Sequence, residues 1–331
     1  MRAFICAVLA GAAIIASSAA IADDSSASLA AGGIQFTKAP DIRMAREDLY
    51  LSPKQVRIRY EFTNDGGKDI DTLVAFPMPD IDQWNFYEEP IGTVGNDPIN
   101  FMNFKVVADG HEVPVQVEQR AFVDNRDVTD VVKSVGLPVD VLVGGGIDKI
   151  DHLVPAKKKI LEKVGIAEAD APDQEHPKWL VRTKFYWTQH FPAGKTIVIE
   201  HSYLPVTGQT FFSTEDLKPG KSAEGGGNSW QTDYCMDGGT LSAIRKLLAA
   251  PRPAGQDAGL LNIYSTGFIL KTANNWKGGI GTLHLTVDKL KPTNIMSMCW
   301  AGDLKKTGPT TFESTLTNVQ PKSDIKFVVL E

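Results

Sequence analysis

The sequence predicts a mainly β protein, made of two β-sandwich-like parts with a short helical insertion between strands. Three observations predict this class. Short segments alternate apolar and polar residues, as strands with one buried face do. The 29 Gly and 19 Pro of the 331 residues favour many turns. One stretch, 124–176, changes to helical spacing. We predict an N-terminal part over 23–210, which contains this insertion, and a C-terminal part over 211–331.

Residues 1–22 have the layout of a secretory signal peptide. Arg2 gives the positive start, residues 3–16 form an apolar run, and small residues end at Ala22, before Asp23. The alternative is a membrane-spanning helix, which needs about 20 apolar residues, and this run is shorter. We therefore expect cleavage between Ala22 and Asp23, a periplasmic or secreted product, and no stable membrane insertion after cleavage.

The N-terminal part begins with strand patterns joined by turn signals. Residues 56–62 alternate, and the turn Asn64–Gly67 is followed by a second alternating segment over 72–76, so we expect these two to pair. Residues 104–107 and 113–117 flank a turn that contains Asp109-Gly110. A third predicted hairpin runs over 179–190, turns at 192–195 and returns over 196–204.

Apolar spacing within the insertion predicts three short helices. Val128, Val131, Val132 and Val135 fall at i, i+3, i+4 and i+7, and Gly136 ends the run. Further helical spacing lies over 147–154 and 160–164. We expect the helices to cap one end of the sandwich at its periphery, with 171–178 as the linker that returns to the strands.

The C-terminal part is predicted to hold one helix and five strands. The helix covers 241–250, with Thr240 as its N-cap and Pro251 after its end. The strand patterns cover 262–270, 282–288, 295–300, 310–316 and 325–330.

Two cysteines remain once the predicted leader is removed, because Cys6 lies within it. Cys235 and Cys299 have neither the Cys-x-x-Cys spacing of a redox site nor the four ligands of a structural zinc site. Paired thiols in an oxidising compartment are usually bridged. We therefore predict a structural disulfide between Cys235 and Cys299.

Charge and motifs exclude several classes of function. The net charge of −6, with no basic stripe, argues against a nucleic-acid partner. No phosphate-binding loop, nucleophile elbow, zinc-protease motif or calcium loop is complete. We therefore assign no catalytic residue, no metal ligand and no cofactor.

One local cluster is a candidate binding patch. If the third hairpin is symmetric, His201 lies opposite Tyr186, and Lys184 lies opposite Tyr203. Such a polar and aromatic patch can bind sugars or peptides. Ordinary cross-strand pairing is the alternative that we favour, and a register error of one residue would separate the side chains.

Several ordered segments carry a family resemblance. They are Leu29–Gly33, Met44–Leu49, Ala75–Pro79, Phe191–Lys195, Asn275–Gly279 and Lys305–Thr310. Together they resemble the exported bacterial proteins called domain of unknown function 4424, over essentially the whole predicted mature chain. That resemblance implies export but offers no activity to transfer. Phe76–Pro79 after one alternating strand and Pro192–Lys195 before another are also similar to the vault and inter-alpha-trypsin β-sandwich domain, which bears on the fold alone.

These observations favour a non-enzymatic function. We expect a binding or scaffold module of the cell envelope, whose partner is an envelope protein or a small ligand of unknown identity. The competing hypothesis is an envelope hydrolase that uses a pair of carboxylates. The 40 Asp and Glu residues make a close pair easy to find by chance, so their number does not favour catalysis.

Overall fold

A computed structural model describes residues 24–30, 33–83, 97, 99–142, 146–165, 167–171, 174–218, 229–251 and 259–331. The predicted signal peptide over 1–22 and its cleavage site at Ala22 and Asp23 lie outside the described residues. The predicted fold class is confirmed, because the chain is mainly β with few helices. Within the described part of the chain, no helix is long and apolar enough to cross a membrane.

Strands account for most of the described regular structure. In chain order they are β1 Ser25–Ala30, β2 Gly33–Phe36, β3 Ile42–Ser52, β4 Gln55–Asn64, β5 Ile70–Pro77, β6 Ile81–Asp82, β7 Lys105–Ala108, β8 His111–Val113, β9 Gln116–Val123, β10 Arg126–Asp127, β11 Ala167–Ala171, β12 Gln174–Pro177, β13 Leu180–Phe191, β14 Thr196–Tyr203, β15 Gly208–Phe212, β16 Leu261–Phe268, β17 Ile280–Asp288, β18 Ile295–Met298, β19 Lys305–Lys306, β20 Thr311–Val319 and β21 Ile325–Leu330.

The described helices are short and are of two types, α-helices and 3-10 helices. The α-helices are Thr129–Ser134, Gly146–Asp151, Pro155–Lys163, Trp230–Asp233 and Gly238–Leu248, and the 3-10 helices are Glu215–Leu217 and Lys271–Asn275.

Two large sheets face each other across the main core. One has the order β10-β9-β13-β5-β1-β2, with β6 beside β13, and the other has the order β19-β20-β17-β3-β4-β14-β7-β8. All their described pairings are antiparallel except β3 with β17, which is parallel. Alternation along each strand turns one side chain in two into the shared interior. Rings from the two sheets meet there, as Phe104 stacks on Phe185 and Phe62 contacts Phe191.

A smaller third sheet, ordered β15-β16-β21-β18, joins the sandwich through β21. Phe327 and Val329 of β21 belong to the main core, whereas Val328 and Leu330 pack with Ile244 in a second core under the helix Gly238–Leu248. Because β21 is buried on both faces, its sequence is a nearly continuous apolar run.

The large eight-stranded sheet crosses the boundary predicted at residue 210. Its strands β17 and β20 come from the C-terminal part and continue the sheet beside β3. The five strand patterns predicted for this part all form strands, at slightly shifted bounds. The predicted helix also forms, but its N-cap is Asp237, whose side chain accepts the Thr240 N–H, instead of Thr240 itself.

Two of the predicted hairpins are wrong. β4 pairs with β3 and β14, while β5 pairs with β1 and β13 in the opposite sheet. Similarly, β13 and β14 lie in different sheets. The two turns that were expected to form hairpins therefore connect strands of opposite sheets and carry the chain across the sandwich. The hairpin of β7 and β8 is confirmed, and both of its turn residues, Asp109 and Gly110, have positive φ.

Buried Asn64 explains why the two crossovers lie side by side. Its side-chain amide donates to the carbonyls of Phe191 and Lys68, at 2.9 and 2.8 Å. Its backbone N–H donates to the carbonyl of Lys195, and its own carbonyl accepts from the Gly194 N–H. One residue thus ties both connections together.

The insertion contains three helices as predicted, at Thr129–Ser134, Gly146–Asp151 and Pro155–Lys163. The predicted linker over 171–178 is partly wrong, because Gln174–Pro177 forms β12, which pairs with β11. The insertion also contributes deeply to the main core, through buried apolar side chains at Val128, Val132, Val135, Leu137, Val139, Val141, Ile150 and Leu161.

Candidate functional site

A cavity of about 720 Å³ lies where the small sheet meets the large sandwich. We call it the junction cavity. Small-molecule sites usually measure about 300–1,000 Å³ and are mostly apolar with a few polar groups. Its lining comes from the β3–β4 turn, the segment after β14, three strands of the small sheet and the loop after β17, as Pro53, Lys54, Leu204, Pro205, Thr207, Gln209, Tyr264, Leu290, Lys291, Asn294, Val329 and Glu331.

Strand register builds one wall of the cavity. Gln209 of β15 pairs with Tyr264 of β16, and Tyr264 pairs with Val329 of β21. Directly paired residues share one face of a sheet, so these three side chains stand in a row. Leu204, Pro205 and Pro53 provide apolar surface from the large sandwich.

Three polar side chains form a connected group in the cavity lining. The Tyr264 hydroxyl donates to Glu331 Oε1 at 3.0 Å, and Lys291 Nζ donates to Glu331 Oε2 at 2.8 Å. Burial and the Glu331 carboxylate raise the pKa of Tyr264 to about 12. Burial also raises the pKa of Glu331, but the hydrogen bonds from Lys291 and Tyr264 outweigh it, so this pKa lies below its ordinary value. Tyr264 is therefore a stable proton donor, and Glu331 is a stable anion.

The loop after β17 holds Leu290 in an unusual backbone conformation against the cavity. Its φ is +70°, a left-handed value that side chains larger than Gly, Asn or Asp seldom adopt. Asp288 fixes the start of this loop, because its side chain accepts a hydrogen bond from the Leu290 N–H at 2.8 Å. Buried Asn294 fixes the end of the loop by donating to the Lys289 carbonyl at 2.9 Å. Bulky residues in such conformations persist where the surroundings impose them, often at binding sites.

The charges lining the cavity are mainly positive. Lys291 and Lys54 are both exposed, and Glu331 is the single carboxylate among the described lining residues. Lys291 is paired with Glu331, whereas Lys54 has no ion-pair partner within the described part of the chain. Counting side chains alone, the described lining residues carry one positive charge in excess, although the sequence as a whole is acidic.

A second, shallower groove of about 400 Å³ lies on the outer face of the eight-stranded sheet. Its charged side chains mostly neutralise one another. Arg59 is 3.7 Å from Asp48 and 2.7 Å from Glu61, and Arg57 stacks on the Tyr50 ring at 4.2 Å. This arrangement is that of a solvated sheet face with internal ion pairs.

The four residues of the predicted binding patch do not come together. Lys184 and Tyr186 lie on the outer face of the seven-stranded sheet, where Lys184 Nζ donates to the Ile34 carbonyl at 2.6 Å. His201 and Tyr203 point into the main core from the other sheet. The prediction failed because it assumed that β13 and β14 pair.

His201 instead forms a buried hydrogen-bonding contact with Asp24. Its Nε2 lies 3.0 Å from Asp24 Oδ1, and both side chains are completely inaccessible to solvent. Four aromatic rings, of Tyr60, Phe76, Phe104 and Trp187, surround the imidazole. Burial raises the pKa of Asp24, and the neighbouring imidazole partly offsets that rise. Since no solvent reaches the pair, we assign it to the architecture of the core.

The predicted disulfide between Cys235 and Cys299 is present, with the two Cα atoms 5.0 Å apart. It joins the segment after the helix Trp230–Asp233 to the residue directly after β18. Within the described part of the chain, no group of three or more His, Cys, Asp or Glu side chains is placed to hold a metal ion.

Sequence analysis missed the residues of the junction cavity. Tyr264 and Glu331 are 67 positions apart, and Lys291 is 40 positions from Glu331. No local pattern links residues so far apart. The only local hint was the pair of lysines around Leu290, directly after a strand that ends at Asp288.

Comparison with solved structures gives weak overall likenesses. A "putative nutrient binding protein" from Legionella pneumophila subsp. pneumophila str. Philadelphia 1 is 13% identical, with a TM-score of 0.46 and coverage of 94% of this chain and 70% of that one. Yeast LTA4 hydrolase is 8% identical, with a TM-score of 0.29 and coverage of 87% and 28%. An M1 zinc metallopeptidase from Deinococcus radiodurans is 7% identical, with a TM-score of 0.29 and coverage of 88% and 43%. This chain thus spans less than half the length of either of the last two proteins, and scores this low support no argument about function.

No curated protein matches the sequence. The model of one protein family, described as Domain of unknown function (DUF4424), matches residues 22–328. That match covers nearly the entire chain and confirms the resemblance drawn from the ordered sequence segments. The chain therefore belongs to the DUF4424 family.

Proposed function

We propose that the protein is a non-catalytic binding module of the cell envelope that holds a small ligand in the junction cavity. The observation that carries this proposal is the cavity itself. It combines apolar walls from both parts of the chain with one connected polar group, Tyr264, Glu331 and Lys291. Both its size and its mixture of surfaces are those of ligand sites.

The proposal includes export to the periplasm or the exterior. It rests on the layout of residues 1–22 and is supported by the Cys235–Cys299 disulfide, since such bonds persist in oxidising compartments. Mass spectrometry of protein recovered from its native cells is expected to find Asp23 as the first residue. Intact Met1 or an acylated terminus would contradict that processing.

Binding can be tested with N-phenyl-1-naphthylamine, a neutral apolar dye whose fluorescence rises in an apolar site. The variant Gln209→Trp places a large ring beside Tyr264, in the row of residues that lines the cavity. Because β15 is an edge strand and Trp suits strands, the fold should be retained. We expect the dye to bind the natural protein and to lose most of its binding in Gln209→Trp.

The matched control is Phe211→Trp on the same strand. Phe211 is 67% exposed and lies outside the cavity lining. This variant should bind the dye as the natural protein does. Dye binding that is equal in both variants would place the dye elsewhere and remove the support for a ligand site in the cavity.

The hydrolase hypothesis gains no specific support. Among the described residues that line the junction cavity, Glu331 is the one carboxylate, so the pair that such chemistry needs is not assembled there.

A further inference from the structure

We infer that the junction cavity selects an anionic amphiphile, a molecule with an apolar chain or ring body and one terminal carboxylate or similar anion. This inference rests on the proposed function and gives its ligand a chemical class. It follows from three features of the lining, which are its apolar walls, its lysines and the state of its single acid.

The apolar walls set the character of the ligand body. Leu204, Leu290 and Val329 come from three separate segments, and Pro53 and Pro205 add rigid apolar surface. Burying apolar ligand surface against such walls removes that surface from water, which favours binding. Leu290 contributes although its left-handed backbone is costly, which indicates that the loop is built to present this side chain.

The lysines set the charge of the ligand head. Lys291 makes one ion pair, with Glu331, and an ammonium group has three donors. Its side chain is 62% exposed, so the remaining donors are open to an incoming group. Lys54, on the β3–β4 turn, adds a second ammonium with no ion-pair partner within the described chain.

The state of Glu331 disfavours a cationic ligand. One of its oxygens accepts the Tyr264 hydroxyl and the other accepts Lys291, so the carboxylate already has a donor on each oxygen. A cation entering the cavity would have to compete with Lys291 and approach Lys54. An anion meets two ammonium groups and finds the acid already neutralised.

Three amphiphiles with the same ten-carbon chain and different head groups test this selectivity. Decanoate, decanol and decylammonium would be titrated calorimetrically into the purified protein, each below the concentration at which it aggregates. We expect decanoate to bind about tenfold or more tightly than decanol, since a charge-assisted hydrogen bond contributes about that factor. Decylammonium should bind most weakly.

Substitutions assign the preference to the two lysines. Lys291→Met and Lys54→Met should each weaken decanoate binding several-fold while leaving decanol binding within about twofold. The matched control is Lys322→Met, because Lys322 is exposed and precedes β21 at the end remote from Glu331. It should change neither affinity.

The outcomes separate the two proposals. Equal affinity for all three compounds, together with dye binding that Gln209→Trp removes, would overturn the anionic selectivity and leave the ligand site intact. A preference for decanoate that survives the double variant of Lys54 and Lys291 would overturn it as well. Binding to anionic lipid vesicles without binding to monomeric decanoate would overturn it in favour of a membrane headgroup. Absence of both dye and decanoate binding would instead refute the proposed function.

Discussion

At Tyr264, burial and a neighbouring carboxylate shift an acid–base equilibrium within the candidate site. The phenol has an ordinary pKa of 10.0, and the folded protein raises it to about 12. Between those values the unfolded chain loses the proton before the folded chain does. The stability that Tyr264 contributes is therefore complete below pH 10 and is lost as the pH rises towards 12.

Tyr264→Phe tests this shift. We expect the variant to lose about 1 kcal/mol of unfolding free energy at neutral pH, because the Glu331 carboxylate loses a hydrogen bond. Its tyrosinate absorbance should also lack one titration step near the upper end of the alkaline range. Tyr186→Phe, which removes a phenol outside the cavity, should keep that step. An unchanged alkaline titration in Tyr264→Phe would contradict the assignment.

The sequence predicts the spatial partners of some residues but not of others. Cys235 and Cys299 could be paired, because only two cysteines remain after the predicted leader and a bridge needs no other information. Tyr264 and His201 could not be placed, since the alternation of a strand shows which residues share a face but not which sheet or neighbour that face meets. His201 consequently seemed a surface candidate and is a core residue.

At the scale of elements, the helix Thr129–Ser134 offers a matched pair of substitutions. Val132 is completely buried in the main core, and Val131 beside it is only half-buried. Val132→Ala should cost about 2 kcal/mol of unfolding free energy, and Val131→Ala less than half of that. Both changes alter helix propensity equally, so chemical denaturation compares burial alone. Equal effects would show that the helix lies outside the cooperative core.

This comparison also tests the view of the insertion as a peripheral cap. Among the described residues of the insertion, eight apolar side chains are buried in the main core. Replacing the insertion by a flexible linker would remove these side chains and their contacts from the core. The resulting loss of unfolding free energy would exceed the total stability of most domains. The sequence located these helices correctly, but it gave no measure of how much core they supply.

The disulfide is the second element with a measurable contribution. It links residues 64 positions apart. By restricting the unfolded chain, such a loop is expected to raise the unfolding free energy by about 4 kcal/mol. Both cysteines are exposed, so a reductant can reach them. Reduction is expected to lower the midpoint of thermal unfolding while the strand signal in circular dichroism remains. The double variant Cys235→Ser, Cys299→Ser should be insensitive to reductant, and an unchanged midpoint in the natural protein would contradict a stabilising role.

The sequence predicts the positions of the strands better than it predicts which strands pair. Alternation located β4, β5, β13 and β14 within one or two residues, because it reflects a local period of two. Their pairing depended on whether Asn64–Gly67 and Pro192–Lys195 reverse the chain or carry it across the sandwich. The Asn64 amide donates to the Phe191 carbonyl, 127 positions away, and so ties the two connections together. No local pattern reports such a contact.

For the whole molecule, the shared eight-stranded sheet predicts that the two parts do not fold separately. A fragment ending at residue 210 would lose β17 and leave β3 as an uncovered edge. Its buried residues Met44, Leu49 and Leu51 would lose the neighbours that β17 supplies. We expect this fragment to show no cooperative unfolding transition, whereas the full chain shows one. A fragment with a sharp transition of its own would establish an independent N-terminal domain.

The hydrogen bond between Trp276 and Asp24 has a consequence for folding during synthesis. The indole N–H donates to the Asp24 carbonyl at 2.6 Å, across 252 positions of sequence. A chain that emerges amino end first presents Asp24 long before Trp276 exists to cover it. During that interval β3 lacks its neighbour β17, and Phe62 of β4 lacks its contact with the Trp276 ring. Chains aggregate when such apolar surface waits for distant partners. We therefore expect newly made protein to depend on a holding chaperone until its final third has emerged.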